Sequence, residues 1–192
     1  RSLDELIYWV QTTDELSEES LREAYERTGC NCMKKALEWS RLVNDSIVMI
    51  SNSRKSPFEG VEEALKLIKG KADVVIVTAS NGQEIRREWE DSGLMEYADL
   101  LLSQESGTKE MCLRSLTEHG YEKDHVLMIG DAPADKMAAE SAEALFYPVL
   151  AYQETESWEE FAEEGLKRFL EGTFAGTYQE EKIKEFYANL DL

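Results

Sequence analysis

The stretch VLMIGDAPAD, residues 126–135, decides how this chain is read. Four apolar residues, Val126 to Ile129, run without polar alternation into Gly130. Two aspartates, Asp131 and Asp135, then stand four apart with Pro133 between them. A short, unbroken apolar run is the mark of a strand buried on both faces. Proline suits the first turn of a helix, where its missing N–H has no intrahelical partner to lose. The stretch therefore reads as strand, tight loop and helix, with two carboxylates at the strand's carboxyl end.

The same texture extends outward in both directions. Upstream, VEEALKLIKG (61–70) is a helix closed by Gly70, and ADVVIVTAS (72–80) is an apolar strand rich in β-branched residues. NGQEIRREWEDSG (81–93) is a helix capped by Ser80, with Gln83 in the capping-box position and Gly93 at its far end. DLLLS (99–103) is a short strand and TKEMCLRSLTEHG (108–120) a helix. Downstream, ALFYPVL (144–150) is a strand, and SWEEFAEEGLKRFLEG (157–172) and YQEEKIKEFYANL (178–190) are acidic helices, each with one apolar stripe. Strands that alternate with helices, and are apolar throughout, predict an α/β domain: a parallel sheet flanked by helices on both faces.

Residues 1–55 differ, because they read as helices only. LDELIYWVQ (3–11) is short and amphipathic. SEESLREAYERTG (17–29) carries Ser17 as its N-cap and ends at Gly29. MKKALEWSRLVNDSIVMI (33–50) places Ala36, Trp39, Val43, Ile47 and Ile50 at helical spacing. Its tail, SIVMIS (46–51), suits a helix end or a buried strand equally. The polar stretch SNSRKSPFEG (51–60), with Pro57 and Gly60, marks a boundary between a small helical domain, 1–55, and the α/β domain, 56–192. Tyr8, Trp9 and Trp39, at helical spacing, are expected in the core of the small domain.

The chain has 192 residues, 42% of them apolar, which is enough for a real core. Its 40 acidic and 21 basic residues give a net charge of -19. That argues against binding nucleic acid or an anionic membrane through a basic surface. No apolar run approaches the roughly 18 residues needed to span a bilayer, and a signal peptide is not expected. Three cysteines, Cys30, Cys32 and Cys112, suit reduced thiols in a cytoplasmic protein. Cys30 and Cys32 are too small a set for zinc, with His119 and His125 distant in sequence. The chain opens at Arg1 directly into an amphipathic segment, the expected texture of the interior of a longer polypeptide.

In open parallel sheets, ligands sit beyond the carboxyl ends of the strands. Thr78, Ala79 and Ser80 stand there after the first strand, Ser103 and Gln104 after the second with Lys109 opening the next helix, and Asp131 and Asp135 after the third. Taken singly, each has a plainer role open to it: Thr78 ends a strand, Lys109 is a solvated helix residue, and Asp131 caps a helix. Taken together, their types complement one phosphoryl group and its metal. A hydroxyl and a helix N-terminus bind phosphate oxygens, an ammonium neutralises the dianion, and two loop carboxylates suit Mg²⁺, which takes oxygen ligands and keeps several waters.

This set resembles the haloacid dehalogenase superfamily, whose members are mostly phosphatases. VVIVTAS is similar to its second motif, which implies that Thr78 and Ala79 bind phosphate. Lys109 stands where the third motif's lysine is expected. GDAPAD is similar to the fourth motif, which implies that Asp131 and Asp135 hold or support Mg²⁺. SPFEGVEEALKLI (56–68) resembles the segment that follows the helical cap in cap-bearing members, so residues 1–55 resemble most of that cap. The resemblance implies a Rossmann-like parallel sheet and hydrolysis of a small phosphorylated metabolite.

The family's first motif, Asp-x-Asp after an apolar strand, supplies an attacking aspartate and a general acid/base. It does not occur in these 192 residues. SIVMISNS (46–53) has Ser51 and Ser53 where the aspartates would stand, and serine does not replace them. Two expectations follow. In one, the motif precedes Arg1, because the cap is inserted just after it. In the other, SIVMISNS is a degenerate first strand and the protein is a non-catalytic binding protein on this fold. A haloacid dehalogenase or a phosphomutase is a further enzymatic alternative. The first strand is central to the family's sheet, so a chain without it exposes strand edges unless another segment fills the place.

Overall fold

A computed structural model describes residues 3–13, 18–48 and 56–190. The chain divides into two compact units, Arg1–Ser56 and Pro57–Leu192.

The first unit holds α1 (Asp4–Thr12), α2 (Glu18–Thr28) and α3 (Asn31–Val48). Gly29 closes α2 with φ 61°, its N–H bonded to Tyr25 O at 2.7 Å; without a Cβ it takes this left-handed conformation freely. Leu21, Ala24, Met33 and Leu37 form the core, with Leu6 and Trp9 packed against it. The buried stripe of α3 thus runs through Met33 and Leu37 with Ala36 beside them. Trp39 lies off it, 68% exposed, and Tyr8 is 60% exposed. Of the three aromatics expected in this core, only Trp9 packs there, because α1 and α2 both meet α3 on its Met33–Leu37 side. Ser46 to Val48 form the last turn of α3. Ser17 and residues 49–55, including Ser51 and Ser53, lie outside the described residues.

The second unit runs α4 (Val61–Ile68), β1 (Val75–Val77), α5 (Gly82–Asp91), β2 (Leu100–Leu102), α6 (Lys109–Glu118), β3 (Leu127–Gly130), α7 (Pro133–Ser141) and β4 (Leu145–Pro148). It ends with α8 (Glu154–Glu160), a π-helical turn at Phe161–Gly165, α9 (Leu166–Leu170) and α10 (Thr177–Asn189). The alternation is the one the sequence predicts, and both strand pairs are parallel. β1 pairs with β2 in the register Val75↔Leu100, and β3 with β4 in the register Leu127↔Leu145. The strands form two two-stranded sheets, not the one sheet expected.

The break has a definite edge on each side. In a parallel ladder, alternate residues turn their backbone groups toward the partner. Bonds from Thr78 N to Leu102 O at 2.9 Å and from Leu100 N to Val74 O at 3.3 Å turn Val74, Ile76 and Thr78 toward β2. The N–H and C=O groups of Val75 and Val77 therefore face away from it. Bonds from Leu145 N to Val126 O at 2.8 Å and from Val149 N to Gly130 O at 2.9 Å leave Leu127 and Ile129 facing away from β4 in the same manner. The outer edge of β4 is closed differently. Phe146 N–H donates to Gln179 Oε1 of α10 at 2.9 Å, and Pro148 has no N–H to leave unpaired.

Side chains alternate across β3 and β4, so two cores form. Leu127, Ile129, Leu145 and Tyr147 face a cluster with Val61, Ala64, Leu65 and Ile68 of α4, Phe161, Phe174 and Tyr178. Val74, just before β1, packs against the same cluster, which thereby links the two half-sheets. Met128 and Phe146 face the other way, onto Leu113 of α6, Ala138 and Ala139 of α7, and Phe186 of α10. Among the described residues no helix is long and apolar enough to cross a membrane.

Tyr178 is 8% exposed and its hydroxyl has no hydrogen-bond partner among the described residues. A buried hydroxyl left unsatisfied costs on the order of 1–2 kcal/mol. Tyr178→Phe is therefore expected to raise unfolding stability by about 1 kcal/mol at pH 7. Burial first, and then the charge of Glu160, pushes the Tyr178 hydroxyl up to about 12. A raised folded-state pKa gives stability that is complete below the tyrosine's ordinary value near 10 and is lost as pH rises through about 12. Urea denaturation at pH 7 and pH 11 checks both points. The variant's advantage should grow at pH 11, because the wild type has by then lost part of its proton-linked stability and phenylalanine has none to lose, and equal midpoints for the two proteins at pH 7 would contradict the assignment.

Candidate active site

The carboxyl ends of the strands meet at one edge, and an ion pair fixes that. Lys109 opens α6, after β2; Asp135 lies in the first turn of α7, after β3. The Lys109 ammonium contacts Asp135 Oδ1 directly. The Asp135 side chain is 3% exposed and that of Lys109 29%. The other carboxylate oxygen, Oδ2, accepts the Ala132 N–H at 3.2 Å, bracing the turn into α7. Gly130 makes room for this carboxylate, since a Cβ there would lie 2.5 Å from Asp135 Oδ2. The glycine between strand and aspartates is thus a packing requirement.

Asp131 lies on the exposed bend between β3 and α7. It offers an outward carboxylate, while Asp135 is held from below by Lys109 and Ala132. Such a pair fits Mg²⁺, which binds through one or two carboxylates and retains water. The described residues contain one set of three close metal-ligating side chains, Glu122, Asp124 and His125, all exposed. It precedes β3, roughly 13 Å away along a four-residue strand, and is not the predicted site.

Thr78 follows β1 and is half-buried, with Ala79 exposed beside it. Thr78 Oγ1 accepts the Ser80 N–H at 3.1 Å, which leaves the hydroxyl proton to donate. The N-cap of α5 is Asn81 rather than Ser80: Asn81 Oδ1 accepts from Gln83 N at 2.9 Å and Glu84 N at 3.3 Å. Two of the N–H groups of that helix start are therefore already used. Thr108 caps α6 in the same way, accepting from Met111 N at 3.2 Å, and so sets the turn from which Lys109 projects.

Ser103, already placed at a strand end by its position in the sequence, has a partner that the sequence does not point to, Glu105. Ser103, after β2, is 8% exposed and its hydroxyl donates to the Glu105 carboxylate. That bond, followed by the backbone N–H groups of Glu105 and Gly82, holds the Glu105 carboxyl below the usual range. Glu105 thereby ties the end of β2 to the start of α5. The signal for Glu105 in sequence is only the polar run after LLL. The structure thus brings Lys109 and Asp135 into contact, and sets Thr78 and Ala79 after β1, beside β2, and Asp131 on the loop after β3.

A family model described as haloacid dehalogenase-like hydrolase matches residues 4–149, well over half of the chain. A solved structure from Geobacter sulfurreducens, described as a HAD-superfamily hydrolase of subfamily IA, variant 1, is similar at 21% identity with a TM-score of 0.47. The similarity covers 58% of this chain and 61% of that one, so the chain spans less than two thirds of that protein's length. No curated protein matches. On the family match, the chain belongs to the haloacid dehalogenase-like hydrolases.

Proposed function

We propose that this chain is the larger part of a Mg²⁺-dependent phosphatase acting on a small phosphorylated metabolite in the cytoplasm, with residues 1–55 as most of its helical cap. The observation that carries the reading is the Lys109–Asp135 contact at the carboxyl edge of the strands. Lys109 has further N–H donors beyond the one Asp135 takes, and its partial exposure leaves them available to a phosphate dianion. The Thr78 hydroxyl and the Ala79 amide suit the remaining phosphate oxygens. Asp131, with Asp135 behind it, would hold Mg²⁺, which supplies the positive charge that lets an anion attack an anion.

The attacking aspartate is to come on a strand from outside these 192 residues. The outward-facing backbone groups of Val75 and Val77 on β1, and of Leu127 and Ile129 on β3, suit a parallel strand between the two half-sheets. Its carboxyl end would then fall among Thr78, Lys109 and Asp131. Attack of its first aspartate on phosphorus would break the ester P–O bond and give an aspartyl-phosphate, the alcohol leaving with a proton from the second aspartate; water would then cleave the aspartyl-phosphate to free phosphate, giving its proton back to that second aspartate.

The test joins an apolar strand ending in Asp-x-Asp ahead of Arg1. The longer protein is expected to hydrolyse p-nitrophenyl phosphate, to lose that activity in EDTA, and to lose at least about 100-fold in kcat on Asp131→Ala. The 192-residue chain alone should be inactive. No hydrolysis by the longer protein across a broad panel of phosphate esters would sink the proposal. Release of chloride from a haloacid without Mg²⁺ would move the reading to a dehalogenase.

A further inference from the structure

The first unit carries a pair of side chains that phosphoryl transfer does not use. Cys30 and Cys32 are both free and half-buried, and their sulfurs lie 2.8 Å apart. The placement follows from the local fold. Gly29 ends α2, and Thr28 Oγ1 accepts the Cys30 N–H at 3.3 Å. The Cys30 carbonyl accepts the Lys34 N–H at 3.1 Å, which makes Cys30 the N-cap of α3. At that position its sulfur faces the open N–H groups of the helix start and the positive end of the helix dipole. Cys32 lies on the first turn, and its side chain returns toward the cap. A disulfide measures roughly 2.05 Å, so less than about 1 Å of travel joins the two sulfurs.

We propose that Cys30 and Cys32 form a thiol–disulfide exchange site, in which Cys30 attacks a small disulfide of the oxidised-glutathione type and Cys32 resolves the adduct. The Cys30 thiolate attacks one sulfur of RS–SR; a Cys30–SR bond forms, the S–S bond breaks, and RS⁻ leaves and takes up a proton. Cys32 then gives up its proton to solvent and attacks the Cys30 sulfur, expelling the second RS⁻. The protein dithiol loses two electrons and the small disulfide gains them, giving two RSH.

The two thiols suit different steps. The hydrogen bond from Cys32, then the backbone N–H groups of Cys32 and Met33, bring the Cys30 thiol below its ordinary value against the opposing charge of Glu5. The same hydrogen bond, then burial and the charge on Cys30, push Cys32 up. An attacking thiol gains from a larger thiolate fraction. Once Cys30 is capped, both its hydrogen bond and its charge are gone, and Cys32 is released to act. Cys112 is buried, and burial pushes its thiol up, so it serves as an internal comparison.

The experiment exposes the intact chain to oxidised glutathione under native conditions and follows it by intact mass and peptide mapping. The wild type is expected to end with a Cys30–Cys32 bridge, two hydrogens lighter and free of glutathione. Cys32→Ser should stop at one glutathione on Cys30. Cys30→Ser, which keeps an N-capping oxygen and so preserves the helix start, should react at least about tenfold more slowly. A wild type that retains glutathione would overturn the proposal, as would Cys30→Ser and Cys32→Ser reacting at equal rates.

Discussion

Lys109→Met is expected to lower the stability of the second unit by about 3 kcal/mol, on the order of a 9 °C fall in melting temperature. The cost arises on the partner. Asp135 is buried, and without the ammonium only the Ala132 N–H remains to its carboxylate. A buried charge that loses its partner keeps its desolvation penalty and forfeits the compensation. The partial exposure of Lys109 lets water recover some of the loss, so the estimate sits at the low end of the range for buried pairs. Asp135→Asn removes the charge but leaves an oxygen for Ala132, and is expected to cost less, about 1–2 kcal/mol. The decisive comparison is the double variant Lys109→Met, Asp135→Leu. If uncompensated charge is the cause, it should recover much of the loss in urea or thermal denaturation. A double variant as unstable as the sum of the singles would show that the pair acts through packing.

Phe174→Ala is expected to cost about 4 kcal/mol, a large share of the 5–15 kcal/mol that holds a typical domain together. Phe174 is 0% exposed and packs edge-on against two rings, Tyr178 at 5.2 Å and Tyr147 at 6.3 Å. These rings come from the segment after α9, from α10 and from β4, so Phe174 joins the terminal helices to the sheet. Truncation loses the transfer energy of the ring, leaves a cavity, and removes two aromatic contacts. Phe58 supplies the control, because it is 55% exposed and its truncation should fall within about 0.5 kcal/mol of wild type. Equal losses for the two phenylalanines would contradict the packing described.

Much of this fold is legible in the sequence, and its limits have physical causes. The four apolar runs became strands, and Gly29, Gly70 and Gly93 stand at helix ends with positive φ, because burial and backbone conformation leave direct marks on residue type. Partnership leaves weaker ones. Nothing in the spacing of Lys109 and Asp135, 26 residues apart, says that the lysine touches the aspartate. Two good caps, Ser80 and Asn81, stand side by side. Asn81 does the capping, while the N–H of Ser80 is engaged by Thr78 Oγ1. Within 157–172, helical periodicity is continuous, yet Phe161–Gly165 widens into a π turn that presents Phe161 to Tyr147. Trp39 matched the apolar period of α3 and still faces outward, because periodicity gives a stripe but not which neighbours cover it.

The break between the half-sheets also bears on how copies of this protein behave toward one another. The outward-facing backbone groups of Val75, Val77, Leu127 and Ile129 are templates for pairing with any extended apolar segment, another copy included. Gln179 and Pro148 guard the outer edge of β4, but no such device guards the inner edges among the described residues. The net charge of -19 then acquires a colloidal role. Mutual repulsion holds copies apart, and it acts only over the roughly 8 Å that physiological salt allows. For this chain, salt concentration sets the range over which its bare edges are kept from one another.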